Sequence, residues 1–301
     1  MTALFQMVGI SKQAFWKYQN RKEVTLLKVK ASIAIIRQIR KRHKRMGCRS
    51  IYFASPTPPP VGRDAFIEIG MANGFRLKRR RNKKKTTWSQ RVEIFPNLIE
   101  GMKVTGINQV WQSDIFYHQE DQKDYYGITI IDVYSRQLVA LHLSRSLRAE
   151  ENVKALQQAI DYRAGHNLVN CVFHSDHGTQ YISEIHKGLL REYKMRPSMG
   201  KLPQENAYAE KVQDIIKNYY LVDEVLEGRN LKSVSRQIKD LYNKEKPHTS
   251  LKMMTPIKFE RHVEKLSIED RPNEFIFKWD HQLSTKNELL TKEKSSKKEN
   301  L

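Results

Sequence analysis

The sequence has little cysteine, no long apolar run and few acidic residues in its first third. Cys48 and Cys171 are the only cysteines in 301 residues, which argues against a disulfide framework and fits a reducing compartment. No apolar run approaches the roughly 20 residues that a membrane span needs, and the opening residues lack the pattern of a secretory signal. We therefore expect a globular protein of the cytoplasm.

Positive charge is concentrated at the start of the chain. Residues 1–100 hold 23 Lys and Arg against 5 Asp and Glu, whereas residues 101–301 hold 31 against 28. The excess is densest in residues 37–45 and 76–85. Such a local field favours a polyanion, and nucleic acid is the natural candidate because each neutralised phosphate releases counterions. A solvated helix face or a flexible basic linker is the alternative for either run alone.

The basic region is predicted to be mainly helical. Gly9 at a turn, Ser11 as an N-cap and apolar residues at helical spacing beyond them are typical of the second half of a helix-turn-helix. A helix is also predicted over residues 24–46, with one apolar face formed by Leu27, Ala31, Ala34, Ile35 and Ile39. Prolines at residues 55–60 then break regular structure, before a short helical piece.

The middle of the chain predicts an α/β fold around a mixed sheet. Three β-rich runs come first, and the closeness of the second and third predicts a hairpin. They are followed by an amphipathic helix with Val153, Leu156 and Ile160 on one face, and by a fourth strand that ends before Asp176. A helix over residues 183–193, a short extended piece and a longer helix over about 206–221 complete the pattern, so helices are expected to flank the sheet.

Three carboxylates stand where such groups often bind metal. Asp114 lies inside an apolar strand, Asp176 ends a strand, and Glu210 lies in the first turns of a helix. Each has a structural alternative: a backbone amide or arginine partner for Asp114, a turn for Asp176, and a favourable helix dipole for Glu210 with Asn206 as N-cap. Together they offer the oxygen ligands that Mg²⁺ prefers and that phosphoryl transfer with two metals requires. Lys217, about two helical turns after Glu210, could grip a DNA phosphate or could simply be solvated.

Five stretches of the sequence, taken in order, resemble one known family. They are "VWQSDIFY", "YYGITIIDVYSRQLVALHLS", "FHSDHGTQY", "SMGKLPQENAYAE" and "LYNKEKPHTSLKMMTPIKF". In this order they resemble the insertion sequence 3 family of bacterial transposases, second reading frame, within the retroviral-integrase superfamily. The resemblance spans about residues 8–260 and implies a ribonuclease H-like fold. It divides the chain into a basic helical DNA-binding region (1–97), an integrase catalytic core (98–225) and a helical C-terminal region with a disordered charged tail (226–301).

The resemblance also implies a site and a reaction. Asp114, Asp176 and Glu210 become a catalytic triad that binds two Mg²⁺ ions, for which Mn²⁺ can substitute. Water would cut a strand at the end of the element, and the new 3′-hydroxyl would attack a target phosphodiester without a covalent protein–DNA intermediate. Lys217 falls on the basic residue that the family uses on DNA ends. Further phosphate contacts are expected from Arg79, Arg80, Arg81, Lys83, Lys84 and Lys85.

Double-stranded DNA is the partner that the resemblance implies, at the bacterial nucleoid. The chain would act there as a homo-oligomer and could be fused to the product of an upstream frame. The sequence departs from the family in having His177 where a basic residue is usual, and only 33 residues between Asp176 and Glu210, a couple fewer than usual.

Several neighbouring residues are expected to have other roles, and two other functions stay open. Asp132 is expected to cap a turn, Glu205 is not expected to be the catalytic glutamate, and neither His174 nor His177 is expected to bind metal. The first alternative function is a catalytically inactive DNA-binding relic or regulator. The second is a ribonuclease H-like nuclease that acts on RNA–DNA hybrids.

Overall fold

A computed structural model of the chain describes residue 5 and residues 9–77, 95–200 and 203–276. The chain divides into two compact units that alternate along the sequence. The first comprises Met1–Thr86, Glu120–Gln122 and Gln213–Phe259, and the second comprises Thr87–Gln119, Lys123–Val212 and Glu260–Leu301. Among the helices described, none is both long and apolar enough to cross a membrane. The division into three consecutive domains stays a prediction.

Eight α-helices and seven strands can be described. The helices are α1 (Lys12–Arg40), α2 (Cys48–Ala54), α3 (Arg63–Ala72), α4 (Ala149–Tyr162), α5 (Glu184–Glu192), α6 (Ala207–Ile215), α7 (Leu231–Asp240) and α8 (Pro256–Val263). The strands are β1 (Lys103–Val104), β2 (Val110–Glu120), β3 (Lys123–Asp132), β4 (Leu138–Ser144), β5 (Val172–Ser175), β6 (Arg196–Met199) and β7 (Glu274–Phe275).

The first unit begins with the long helix α1. Gly9 has a positive φ of 68°, and the Ser11 side chain accepts a hydrogen bond from the Ala14 amide at 3.1 Å, so the predicted turn and N-cap are confirmed. The predicted apolar face is partly wrong, because Leu27 is exposed whereas Ser32 and Ile36 are buried. Only the last third of the helix packs against α2 and α3, and this packing selects the face that is buried.

The second unit is built on a five-stranded mixed sheet in the order β4-β3-β2-β5-β6. β3 and β4 form the predicted antiparallel hairpin, while β5 runs parallel to both β2 and β6. Helix α4 packs on β3 and β4, burying Leu156 and Ile160 as predicted and leaving Val153 half-buried. The mixed sheet flanked by helices is therefore confirmed.

The core of this unit covers the central strands. It includes Trp111 from β2, Phe173 from β5 and Tyr181 from the loop that follows, all almost fully buried. A strand covered on both faces reads as a continuous apolar run, so a polar side chain within β2 has to find a partner inside the protein. This requirement decides the roles of Gln112 and Asp114.

The C-terminal end of the described chain includes a short strand. β7 pairs antiparallel with β1, with Lys103 opposite Phe275 and Val104 opposite Glu274. The sequence predicted only helix and tail here. Two-residue strands are too short to show the alternation that identifies a strand.

Candidate active site

Asp114 lies in the buried part of β2. Its side chain is 9% exposed, and its Oδ1 accepts a hydrogen bond from the Ile115 amide at 2.9 Å. The structural alternative considered for this residue, a backbone amide partner, is therefore present.

Asp176 follows β5 directly, on the strand next to the one that carries Asp114. β2 and β5 pair in parallel, and their last paired residues are Gln112 and His174. Asp114 and Asp176 each come two residues after this pair, and neighbouring strands lie about 4.8 Å apart, so we expect the two carboxylates to be neighbours. Asp176 is exposed, and its Oδ1 accepts a hydrogen bond from the Gly178 amide at 3.1 Å. Asp176 thus follows the end of the strand as a turn residue, as predicted.

A buried tyrosine reports on both aspartates. The Tyr181 hydroxyl lies 2.9 Å from Ser113 Oγ. Burial first, and then the negative charges of Asp176 and Asp114, raise the pKa of Tyr181 well above its ordinary value. The hydroxyl therefore stays neutral, and it is close enough to feel both carboxylates.

Glu210 lies in the first turn of α6, and the start of this helix is held by β2. Gln112 Oε1 accepts hydrogen bonds from the amides of Tyr208 and Ala209, at 3.1 and 3.3 Å. Glu210 is the next residue along the chain and is half-buried. Gln112, which lies two residues before Asp114, thus anchors the start of the helix that carries Glu210.

The predicted N-cap of this helix is wrong. Asn206 donates its Nδ2 to the carbonyl of Ser113 at 2.9 Å, and its Oδ1 has no hydrogen-bond partner among the described residues. The amides at the helix start instead donate hydrogen bonds to the side chain of Gln112, which belongs to strand β2. Capping from a distant strand leaves no signal in the local sequence, so the sequence alone favoured Asn206.

The three carboxylates fit a hard cation in chemistry but do not form a closed group. Carboxylate oxygens are the ligands that Mg²⁺ prefers. However, the described part of the chain contains no cluster of three His, Cys, Asp or Glu side chains arranged to hold a metal ion. The three carboxylates therefore suit a cation by their chemistry, but they are not gathered into a set of three ligands.

Lys217 is not part of helix α6, and the other predicted DNA-contacting residues lie outside the described part of the chain. Helix α6 ends at Ile215, and Lys217 lies in the following π-helical segment, Ile216–Leu221, where it is half-buried. The spacing argument for one uninterrupted α-helix therefore does not apply to it. The remaining predicted basic residues all lie outside the described residues: Arg79, Arg80, Arg81, Lys83, Lys84 and Lys85.

Two neighbouring residues that were given other roles, Asp132 and His174, have hydrogen-bond partners of their own. Asp132 is fully buried and caps a turn as predicted, because its Oδ1 accepts from the Ser135 amide at 2.9 Å. His174 Nδ1 lies 2.9 Å from Ser198 Oγ. Burial and the charge of His177 lower the pKa of His174 to about 3, so it is neutral at neutral pH.

Sequence reasoning missed the residues that support the helix start. Besides Gln112, Arg136 stacks on the Tyr208 ring with its guanidinium carbon 4.2 Å from the ring centroid and pairs with Glu274 at 2.7 Å. Glu274 also accepts a hydrogen bond from the Tyr208 hydroxyl at 2.6 Å. The only available signal was Gln112 itself, a polar residue within an apolar strand.

Known proteins resemble this chain over a large part of its length. The chain matches family models described as integrase core domain over residues 105–202 and 192–256, which together include all three carboxylates. It is 28% identical over 172 residues to the transposase for insertion sequence element IS904 of Lactococcus lactis, covering 56% of this chain and 67% of that protein. It is 26% identical over 205 residues to a 31 kDa protein of insertion element IS600 of Shigella sonnei, covering 66% and 75%. It is 28% identical over 176 residues to transposase InsF for insertion sequence IS3A of Escherichia coli, covering 56% and 59%.

Solved integrase structures also match part of the chain. The catalytic core domain of HTLV-2 integrase in complex with magnesium matches with a TM-score of 0.42 and 17% identity, over 55% of this chain and 99% of that chain. The simian T-cell lymphotropic virus intasome in complex with the PP2A subunit B56 gamma matches with a TM-score of 0.48 and 13% identity, over 76% and 73%.

Two findings agree: the matches to the integrase core domain and the similarity to transposases of bacterial insertion sequences. The predicted mixed sheet flanked by helices is confirmed, and the integrase core matches indicate a polynucleotidyl transferase. The predicted resemblance to transposases of the insertion sequence 3 family is confirmed, since the chain matches the integrase core domain and is similar in sequence to transposases of this kind.

Proposed function

We propose that this chain cuts DNA at the ends of an insertion element and joins the resulting 3′-hydroxyl to target DNA. The observation that carries the proposal is the parallel pairing of β2 and β5, since Asp114 and Asp176 each come two residues after the last paired residues, Gln112 and His174. The amides at the start of the helix that carries Glu210 are bonded to Gln112, on the same strand as Asp114. We infer that the three carboxylates come together around a bound cation, an arrangement that suits phosphoryl transfer.

In this proposal each carboxylate has a role that follows from its position. Asp114 is the most buried, so its charge is the least screened and contributes most to ligand binding. Asp176 is exposed at the end of its strand, where a phosphodiester can approach it. Glu210 supplies oxygen ligands from the helix. Tyr181 stays neutral, because burial and the charges of the two aspartates raise its pKa, so its hydroxyl adds no negative charge near them.

The donor set suits a divalent cation, and we put the number of ions at two, with Mg²⁺ as the physiological metal and Mn²⁺ as a substitute. When bound, these ions would supply Lewis-acid activation of the attacking and leaving oxygens. The chain's own contribution is to hold the oxygen ligands and to orient the phosphate. The carboxylates repel one another, so a cation is expected to draw Glu210 towards the two aspartates.

Double-stranded DNA is the proposed substrate, and its contacts are assigned from charge. Lys217 and the basic residues at 79–85 are proposed to bind phosphates, which position the duplex without reading its sequence. The matched structure from simian T-cell lymphotropic virus is an intasome. We propose that this chain also assembles into oligomers on DNA. A fusion with the product of an upstream frame is part of the same proposal.

A joining assay tests the function. Purified full-length chain is mixed with a labelled duplex that carries the element end, a target plasmid and Mg²⁺, and labelled strands joined to the target are counted. We expect joining by the wild type and by Asp161→Asn, a matched aspartate on the exposed side of α4, but not by Asp176→Asn. Cleavage of an RNA–DNA hybrid without any joining would overturn the proposal in favour of a nuclease.

A second candidate is a catalytically inactive DNA-binding protein of the same family. It is favoured by one observation, that the three carboxylates are not gathered into a group that could hold a metal within the described residues. The same assay separates the two candidates. Wild-type chain that binds the element end but joins nothing, in Mg²⁺ or in Mn²⁺, would establish the inactive protein.

A further inference from the structure

We propose that Gln112 is a positioning residue that fixes the backbone of Glu210 relative to Asp114. This inference rests on the proposed function, because it assigns a role within the same site. Gln112 touches neither substrate nor reacting atoms, and it would act only through the helix that carries Glu210.

Gln112 is completely buried. Its side chain is completely inaccessible to solvent, so each polar atom needs a partner inside the protein. Its Oε1 accepts from the amides of Tyr208 and Ala209, and its Nε2 donates to the carbonyl of Glu205 at 2.9 Å. All these partners belong to residues 205–209, so the whole hydrogen-bonding capacity used by Gln112 goes to the start of α6.

The start of helix α6 needs hydrogen-bond acceptors for its first amides. The first amides of an α-helix have no partner within the helix and are usually satisfied by the residue at its N-terminus. Here Asn206 gives its Nδ2 to the Ser113 carbonyl instead, at 2.9 Å. The helix start is therefore connected to β2 by Gln112 and by Ser113, and it does not cap itself with Asn206.

Side chains alternate between the two faces of a strand. Residues i and i+2 of a strand share a face, so Gln112 and Asp114 point to the same side of β2. Ala209, which donates to Gln112, directly precedes Glu210. The side-chain amide thus spans the separation between the two backbone segments that carry Asp114 and Glu210, and it restricts how far the glutamate can move.

The consequence is functional because of the distances that phosphoryl transfer tolerates. Displacement of a catalytic group by about 1 Å can lower a rate by about 100-fold. Groups that orient metal ligands typically change metal affinity or activity by about 10–100-fold when they are removed. A direct connection from β2 holds the start of this helix independently of the segment that joins Asp176 to Glu210.

The test replaces Gln112 by methionine, which has similar length and volume but cannot accept the two amides. A matched control is Gln109→Met. Gln109 Oε1 also accepts two backbone amides, from Thr105 at 2.8 Å and Gly106 at 3.3 Å, but these lie in a loop away from α6. The folded state of Gln112→Met keeps the Tyr208–Glu274 hydrogen bond, which continues to hold the helix.

Two readouts are measured on the full chain. In Gln112→Met we expect hydrogen exchange at the Tyr208 and Ala209 amides to become at least about 10-fold faster, and the Mg²⁺ concentration for half-maximal joining to rise about 10–100-fold. A merely structural role would lower the amount of active protein without changing that concentration. Gln109→Met should leave both readouts at wild-type values.

A second variant covers the case in which Gln112→Met does not fold. In Gln112→Glu, burial favours the protonated carboxyl, which keeps a carbonyl acceptor for both amides and an O–H donor to the Glu205 carbonyl, so it should retain slow exchange. Unchanged exchange in Gln112→Met, or fast exchange in Gln112→Glu, would overturn the inference. The exchange experiment needs no activity, so a wild type that joins no DNA refutes the proposed function while leaving this inference decided by exchange alone.

Discussion

Arg163 provides the most specific prediction about stability, because it is the cation between two buried carboxylates. Its side chain is 4% exposed, and it donates to Glu260 through two hydrogen bonds of 2.9 and 2.5 Å. Asp132 Oδ2 lies 3.9 Å from the same guanidinium and is fully buried. Asp132 also accepts from the Asn108 amide at 2.6 Å, so the network ties α8 to the segment that leads into β2.

The perturbation is Arg163→Met, which keeps most of the buried volume and removes the charge. Removing one partner of a buried ion pair typically costs about 3–5 kcal/mol because a charge is left uncompensated. Here Glu260 and Asp132 both lose their cation, so we expect a loss in that range in the free energy of unfolding. Removing the charge of Glu260 as well, in Arg163→Met with Glu260→Leu, should restore part of it.

The loss of stability caused by Arg163→Met is expected to depend on pH. Burial raises the pKa of Asp132 even with Arg163 present, and removing Arg163 raises it further. A carboxyl with a raised pKa in the folded state destabilises the fold above that pKa and stops doing so when it is protonated. The loss caused by Arg163→Met should therefore be smaller at pH 5.5 than at pH 7.5.

Urea denaturation followed by circular dichroism at both pH values measures these differences. A loss below about 1 kcal/mol at pH 7.5 would refute the reasoning, since that is the range of exposed pairs. An equal loss at both pH values would show that Asp132 is not the group left uncompensated.

Three further predictions concern packing, acid stability and DNA binding. A Cβ on Gly127 would lie 2.0 Å from the buried Phe116 ring, so Gly127→Ala should lose about 1–3 kcal/mol; an unchanged melting temperature would contradict this. Burial acts to raise the pKa of Glu151, but hydrogen bonds led by His142 outweigh it and lower that pKa to about 2. The stability from Glu151 is therefore full above pH about 4.5 and is lost as pH falls towards about 2, a slope that Glu151→Gln should reduce in acid titrations. Lys217→Ala should weaken binding to all DNA sequences alike and lower the salt slope of the binding constant by about 1, whereas Lys217→Arg should keep it; a sequence-dependent loss would argue against a phosphate contact.

The sequence predicted those parts of the site that depend on local pattern. Asp176 follows a mainly apolar strand and lies two residues before Gly178, and this local arrangement was enough to place it directly after β5. Ser11 and Asp132 were predicted correctly for the same reason, since an N-cap and a turn are formed by neighbours in the chain. The resemblance to a family then connected residues that no local pattern could join.

What the sequence could not predict depends on contacts between distant residues. Gln112 and Tyr208 are far apart in the chain, so the cap that one gives to the other cannot be read from either stretch, and Asn206 was chosen instead. The buried face of α1 was also wrong in part, because Ile36 was selected by packing against other helices. Periodicity predicts that a helix has an apolar face, but the partner decides which residues it buries.

The measurement that tests the central claim most directly is joining of the element end by the three single carboxylate variants under one set of conditions. Wild type, Asp114→Asn, Asp176→Asn and Glu210→Gln are compared for joined product in Mg²⁺, with DNA binding measured on the same preparations. We predict that each variant binds the end as wild type does and joins at least about 100-fold less, since each removes a charged oxygen ligand. Wild-type joining by any one of the three would contradict the assignment of the phosphoryl-transfer site to these carboxylates.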